Sequence, residues 1–151
     1  MQTAIPFLFM RGGSSRGPIF QLKDLPSDRN KLSEVLIAVV GSGHPLNIDG
    51  IGGGNSVTTK VAIVSPSPDS WADIDYLFAQ VSVSDHLVDY KPTCGNMLTA
   101  VGPAAIEMQD HIREDQDAKG LSQCSGASRC HHGGSISRRR MEFCVSENVL
   151  V

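Results

Sequence analysis

Three short stretches of the sequence combine glycine with polar side chains at spacings that suit anion binding: RGGSSRG at 11–17, DGIGGGNSVTTK at 49–60 and TCGN at 93–96. In the first stretch, glycine allows successive backbone N–H groups to converge, while hydroxyl and guanidinium groups add further donors. The pattern therefore predicts a loop that binds a carboxylate. Its candidate ligand-binding residues are Arg11, Ser14, Ser15 and Arg16.

The second stretch fits neither the phosphate-binding pattern GxxxxGK[ST] nor the dinucleotide pattern GxGxxG, so a nucleotide is not indicated. Its triple glycine predicts exposed backbone, because glycine brings no side chain to a core. Together with the amide and hydroxyl groups that follow, this backbone suits a small di- or tricarboxylate. The candidate donors are Gly52, Gly53, Gly54, Asn55 and Ser56.

Two reactive side chains adjoin these donors. Lys60 stands where the glycine stretch becomes an apolar strand, and partial loss of solvation there favours the neutral amine that a general base requires. Cys94 precedes Gly95 and Asn96 at a predicted helix start, where the helix dipole favours a thiolate and free N–H groups can hold a carboxylate. Taken singly, a surface lysine and a small core cysteine are the commoner explanations of these residues. The combination indicates proton transfer next to a carboxylate.

The elements that position these groups follow from hydrophobic spacing. A buried strand is predicted over 4–10, leading into the first glycine stretch, and a second strand over 18–20. The order strand, strand, helix, strand, strand, helix indicates an α+β fold, either layered or with the sheet rolled around a helix. The remaining predicted elements are strands over 60–64 and 74–83 and helices from Ser27 or Asp28 to Gly41 and from Cys94 or Asn96 to Met108, the last kinked at Pro103.

Composition limits the classes of function. The chain has 151 residues, of which 40% are hydrophobic, which is enough for one domain with a core. A net charge of −3 with no basic stripe argues against nucleic acid as a partner. The apolar run Val35–Val40 is far shorter than the roughly 20 residues that span a bilayer, and the first residues do not show the cationic and then apolar pattern of a signal peptide. We therefore expect a soluble cytoplasmic protein without a membrane partner.

Four motifs in this order resemble the PrpF-like isomerases, which share the diaminopimelate epimerase fold: FLFMRGGSSRG, DGIGGGNSVTTKVAIV, DYLFAQV and PTCGNM. The resemblance covers residues 1–108 and implies the N-terminal portion of that fold, a sheet rolled around a central helix. It also implies a cofactor-independent 1,3-proton shift on an unsaturated tricarboxylate. Lys60 matches the family lysine, the better candidate for the base, and Cys94 matches the family cysteine, which holds substrate or returns a proton.

Several functions remain open within this resemblance. The motifs favour 4-oxalomesaconate tautomerisation, a step of gallate and protocatechuate breakdown. The alternatives are 2-methylaconitate cis-trans isomerisation and aconitate isomerisation, because substrate choice depends on residues outside 1–108. Family members are longer proteins with two domains and an active site in the cleft between them. An inactive fragment is therefore a further hypothesis, and a homodimer is the arrangement by which two copies could build a cleft.

Residues 109–151 differ in composition from the preceding chain, since they lack a sustained apolar period and contain three of the four cysteines. We interpret them as a divergent, disordered tail that results from a shifted reading frame. A zinc site is the alternative, although the spacing does not fit the usual short separation of paired cysteine ligands. No metal or cofactor is therefore expected. The zinc alternative rests on Cys124, Cys130, His131, His132 and Cys144.

Overall fold

The computed structural model describes residues 3–70, 72–108 and 145–146. These residues form an α+β fold, and the predicted order of strands and helices is confirmed, with two short strands added. The elements in chain order are β1 (Leu8–Gly12), β2 (Ser15–Gln21), a 3-10 turn (Leu22–Asp24), α1 (Arg29–Val40), β3 (Lys60–Pro66), β4 (Ile74–Val81), β5 (Val88–Asp89), α2 (Gly95–Glu107) and β6 (Val145–Ser146).

The described strands form one mixed sheet in the order β1-β2-β3-β4-β5, and β6 pairs with β4. β2 and β3 are parallel, with α1 in the connection between them, whereas the other neighbours along β1–β5 are antiparallel. Two parallel neighbours begin at the same end of a sheet. The first and second glycine stretches, which lead into β2 and β3, are therefore brought to one end.

Both faces of the sheet are buried. Ala62 and Val64 pack in a cluster with α2, whereas Val61 and Ile63 pack in a second cluster with α1. This double burial explains why β3 and the middle of β4 are nearly continuous apolar runs instead of alternating ones. We call the two sides of the sheet the α2 face and the α1 face.

The helix boundaries lie where capping signals predict them. The N-cap of α1 is Asp28, whose Oδ1 accepts the main-chain N–H of Lys31 at 2.9 Å. Gly41 ends α1 in the left-handed conformation, with φ 77°. Cys94 is the N-cap of α2, and Pro103 lies inside α2; the kink predicted there stays a prediction.

The predicted strands differ from the observed ones in extent and burial. β1 begins at Leu8 instead of residue 4, and only one side of it is partly buried. Phe9 is 44% exposed, and Phe7, just before the strand, is 41% exposed. β1 lies at the sheet edge, where Leu8 and Met10 pack against the α2 cluster and alternate side chains point outward. β4 ends at Val81, before the predicted end at 83.

Several expectations concern residues beyond those described. The predicted tail over 109–151 and its candidate zinc ligands lie outside the described residues, apart from 145–146. Among the described residues, no cluster of three or more His, Cys, Asp or Glu side chains is placed to hold a metal ion. No helix in the described part of the chain is long and apolar enough to cross a membrane.

Candidate active site

The first glycine stretch forms a tight β-hairpin, not the longer loop predicted. Strand pairing continues up to Gly12 opposite Ser15, which leaves only Gly13 and Ser14 in the turn. Gly13 has φ 53°, a left-handed value that suits glycine in two-residue hairpin turns. The hairpin therefore carries its polar side chains on paired strands.

This hairpin packs against the N-terminus of α2. A side chain at Gly12 would collide with the main-chain carbonyl of Asn96, so glycine is required for the approach. The side-chain Nδ2 of Asn96 donates to Oγ of Ser14 at 2.9 Å. The first and third stretches identified in the sequence are therefore in contact.

The hairpin also contacts the second glycine stretch. The main-chain N–H of Arg16 donates to the carbonyl of Val57 at 3.0 Å. The guanidinium of Arg16 lies beside Gly53, at 3.0 Å from the position that a Cβ would take there. Gly17 lies directly against the main-chain carbonyl of Lys60. All three stretches thus meet at one end of the sheet.

Lys60 is half-buried at the start of β3. Its side chain lies on the α2 face, because it alternates with Val61 and matches Ala62 in direction. The amine Nζ donates to Oε1 of Gln80 at 2.9 Å and lies 5.1 Å from the ring centroid of Phe78. An aromatic ring and a neutral acceptor therefore border the amine.

Cys94 is buried on the same face, with 8% of its surface exposed, in the cluster that also contains Phe78. Its main-chain carbonyl accepts the N–H of Leu98 at 3.0 Å and the hydroxyl of Tyr76 at 3.4 Å. Its side chain makes no capping hydrogen bond. Phe78 therefore connects the two residues, because it packs in the cluster that contains Cys94 and its ring faces the amine of Lys60.

The second glycine stretch is less open than expected. The N–H of Gly52 donates to the carbonyl of Val40 at 3.0 Å, and the N–H of Gly54 donates to Oδ1 of Asn47 at 2.8 Å. Of the three consecutive glycines only Gly53 is exposed, so the expectation of exposed backbone throughout was wrong. Glycine is needed here because the stretch packs closely on the C-terminal end of α1.

Donors without partners remain at both sides of the hairpin. Gly95 and Asn96 are exposed at the start of α2. Ser15 is fully buried, and its hydroxyl has no hydrogen-bond partner within the described residues. In the second stretch, the main-chain N–H groups of Gly53, Asn55 and Ser56 have no hydrogen-bond partner among the described residues.

The two arginines lie on the opposite face from Lys60. Arg11 and Arg16 are directly paired across β1 and β2, and Arg16 shares its direction with Phe20 of the α1 cluster. The guanidinium of Arg16 lies 5.8 Å from the ring centroid of Phe9, and Arg11 is exposed. The structure therefore brings Arg16 to the second glycine stretch but does not place either arginine beside Lys60.

Two further residues organise this end of the sheet and were missed in the sequence. Gln80 contacts Lys60, and its signal was a polar side chain that follows the apolar run Leu77–Ala79 in β4. Asn47 gave no signal beyond its place in a loop rich in glycine and proline, yet it is only 1% exposed. Its amide joins the end of α1, the segment after β4 and the second stretch. It donates to the carbonyls of Gly41, His44 and Val83 and accepts the N–H of Gly54.

Comparison with known proteins identifies the family. The family model described as PrpF protein matches residues 2–114. The chain belongs to the PrpF family. Over 103 residues it is 55% identical to the putative isomerase YbhH of Escherichia coli K12. This aligned region covers 68% of this chain and 29% of YbhH. Over 127 residues it is 49% identical to the 4-oxalomesaconate tautomerase of Pseudomonas putida. This aligned region covers 84% of this chain and 32% of that enzyme.

A solved relative shares the fold of this PrpF chain. The crystal structure of methylitaconate-delta-isomerase matches it with a TM-score of 0.67 at 43% sequence identity, over 70% of this chain and 27% of that one. The chain thus spans 27 to 32% of the length of the three relatives described. The names of all three describe isomerases.

Proposed function

We propose that this chain carries the base of a PrpF-type isomerase that catalyses a cofactor-independent 1,3-proton shift on an unsaturated tricarboxylate, with 4-oxalomesaconate as the first candidate. The observation that carries the proposal is the convergence of the hairpin, the start of β3 and the N-terminus of α2 at one end of the sheet. We further propose a diaminopimelate epimerase-like fold with the sheet rolled around α2, which its contacts with β1, β2, β3 and β4 support.

In the proposed reaction, the neutral amine of Lys60 takes the allylic proton of the substrate. The electron pair of the broken C–H bond becomes the new double bond, and the old double bond gives a dienolate that a neighbouring carboxylate or ketone stabilises. A proton then adds to the far carbon of the three-carbon unit, so that the substrate changes neither formula nor charge. Lys60 suits this role because a neutral amide, not a carboxylate, accepts its hydrogen bond.

Cys94 is proposed to return the proton at the far carbon or to help hold the substrate. It lies on the α2 face with Lys60, and the ring of Phe78 borders the surroundings of both. The N–H groups at the start of α2, beside Gly95 and Asn96, would hold a carboxylate and stabilise charge that develops next to it.

A second carboxylate subsite is proposed on the other side of the hairpin. Arg16 lies beside Gly53, and the unpaired N–H groups of Asn55 and Ser56 follow in the same stretch. A planar guanidinium next to main-chain donors suits a carboxylate. The tricarboxylate would therefore extend across the end of the sheet, with its reacting carbon on the α2 face.

The test uses a chimera in which residues 1–108 replace the aligned segment of the Pseudomonas putida tautomerase. In this chimera, Lys60→Met is expected to slow the entry of solvent deuterium at the allylic carbon by at least ~10² to 10⁴-fold, the contribution of a positioned base. Lys31→Met, at an exposed position on α1, is the matched control. Equal exchange rates in the Lys60 variant and its parent would remove Lys60 from the role of base.

The likeness to methylitaconate-delta-isomerase favours a second candidate, isomerisation of a methyl-substituted unsaturated acid such as 2-methylaconitate. Aconitate is a third candidate substrate. The same chimera separates these candidates when it is assayed with each acid in D₂O. Exchange that depends on Lys60 with 2-methylaconitate or aconitate, but not with 4-oxalomesaconate, would reassign the substrate and keep the proton shift.

A further inference from the structure

Gln80 lies beside Lys60 in an otherwise apolar part of β4. The register of β3 and β4 pairs the two residues directly, and both point to the α2 face. Oε1 of Gln80 accepts the hydrogen bond from Nζ of Lys60 at 2.9 Å. Its Nε2 lies 3.1 to 3.3 Å from four oxygens, which are the carbonyl oxygens of Ser56, Thr59 and Val81 and the hydroxyl of Thr59.

These neighbours fix the orientation of the Gln80 amide. Three of the four oxygens near Nε2 are carbonyls, which only accept hydrogen bonds, so the NH₂ group must face them. The hydroxyl of Thr59 donates to the carbonyl of Val81 at 2.8 Å and so offers its lone pairs to Gln80. The amide oxygen is left to face Lys60. Gln80 therefore ties the lysine amine to the main chain that joins the second glycine stretch to β3.

The charge of the surroundings matters as much as their geometry. Within the described residues no carboxylate pairs with Lys60. In the row across the sheet, Gln80 stands between Lys60 and the carboxylate of Asp89, which accepts a main-chain N–H at 2.9 Å. Among the described residues, the titratable side chains in the cluster on this face are Cys94 and Tyr76, and Tyr76 pairs with Val64, farther along β3 from Lys60. Lys60 is thus held by a neutral acceptor with the carboxylate one strand further away.

We propose that Gln80 is a positioning residue for Lys60, an inference that rests on the proposed function. Its amide oxygen directs the amine along the α2 face without adding a negative charge. A carboxylate at position 80 would pair with Lys60 and favour its ammonium form, which cannot accept a proton. The choice of an amide at this position therefore determines both where the amine lies and how readily it becomes a base.

The first experiment measures the availability of the neutral amine without substrate. The 151-residue protein is labelled with trace acetic anhydride across a pH series, and mass spectrometry compares Lys60 with Lys31 on the exposed face of α1. Gln80→Glu is expected to move the labelling midpoint of Lys60 upward by at least about one pH unit, which slows labelling about tenfold at lower pH. Gln80→Met, which is neutral and similar in volume, should produce no upward shift. Equal midpoints in the two variants would overturn the proposal.

The second experiment measures position and does not require the Gln80→Glu variant to fold. Carbon-13 relaxation of the lysine Cε groups should show Lys60 more restricted than Lys31 in the parent protein and equally mobile in Gln80→Met. A parent Lys60 as mobile as Lys31 would overturn the positioning role. Neither experiment uses turnover. If both gave the expected results while the chimera showed no exchange dependent on Lys60, the proposed function would fall and the positioning role would stand.

Discussion

Two glycines meet different surroundings where the hairpin contacts α2. A Cβ at Gly12 would collide with the main-chain carbonyl of Asn96, which is part of a helix and cannot move aside easily. A Cβ at Gly95, the first residue of α2, would meet no atom within 4 Å. Substitutions at these two positions therefore distinguish the effect of crowding a tight contact from the effect of replacing a glycine.

We predict that Gly12→Ala lowers the free energy of unfolding by about 1 to 3 kcal/mol, the usual range for overpacking a tight contact. Gly95→Ala, the matched control, should change it by no more than about 0.5 kcal/mol or increase it slightly, because alanine favours a helix. Urea unfolding followed by circular dichroism measures both. Equal losses in the two variants would show that the hairpin does not depend on this approach to α2.

The positions of Lys60 and Cys94 could be predicted because each depends on local signals, a strand start and a helix start. The side of the sheet on which the arginines lie could not. It depends on where the turn falls, since a two-residue turn at Gly13 and Ser14 makes Arg11 and Arg16 direct partners. A one-residue change in that turn would move one of them to the other face.

The second glycine stretch is held in place as an element by Asn47. Asn47 has φ 50° and is almost fully buried. Its amide donates to the carbonyl of Gly41, which ends α1, and accepts the N–H of Gly54. Asparagine tolerates this left-handed backbone better than most residues. The stretch therefore depends on one side chain for its position relative to α1 and β4.

We predict that Asn47→Ala lowers the free energy of unfolding by about 2 to 4 kcal/mol, because several buried polar groups lose their partners together. Asn47→Asp should also destabilise the protein. Its carboxylate oxygen would face the carbonyls of Gly41 and Val83, which accept the side-chain N–H groups of Asn47 in the parent protein. The control is Asn30→Ala on the exposed face of α1, with an expected change of less than about 0.5 kcal/mol. Losses no larger at Asn47 than at Asn30, measured by urea unfolding, would contradict this.

At the scale of elements, the sequence predicted what local chemistry determines. Asp28 and Gly41 bound α1 through caps that involve only neighbouring residues. The exposure of Phe9 depends on the position of β1 at the sheet edge, and the hydrogen bond from the N–H of Gly52 to the carbonyl of Val40 depends on the approach of α1. Neither could be predicted from local spacing. Such contacts arise only when distant segments pack together.

At the scale of the molecule, several groups assigned to substrate lie on an open surface, whereas Cys94 and Ser15 are buried. Lys60 is half-buried, and Asn55, Ser56, Gly95 and Asn96 are exposed. Proton abstraction next to a carboxylate benefits from a site that excludes water and aligns the base with one carbon. Under the proposed function, the described residues would supply one wall of such a site.

Exposed aliphatic side chains offer a surface through which a homodimer could form. Leu46, Ile48 and Leu87 are 69%, 66% and 61% exposed, and their loops contact each other through the bond from the N–H of Gly43 to the carbonyl of Val83. Clustered apolar side chains at a surface favour association. We therefore propose that copies of the 151-residue protein self-associate through this surface.

We predict that the 151-residue protein by itself exchanges the allylic proton of 4-oxalomesaconate at least about 10³-fold more slowly than the chimera, because an open site loses alignment and water exclusion. The measurement is deuterium entry at equal concentrations of the two proteins, with the Lys60→Met variant of each as the blank. Sedimentation velocity under the same conditions gives the oligomeric state. A rate that matches the chimera and rises with dimer content would contradict the prediction, and it would indicate that two copies enclose the substrate between them.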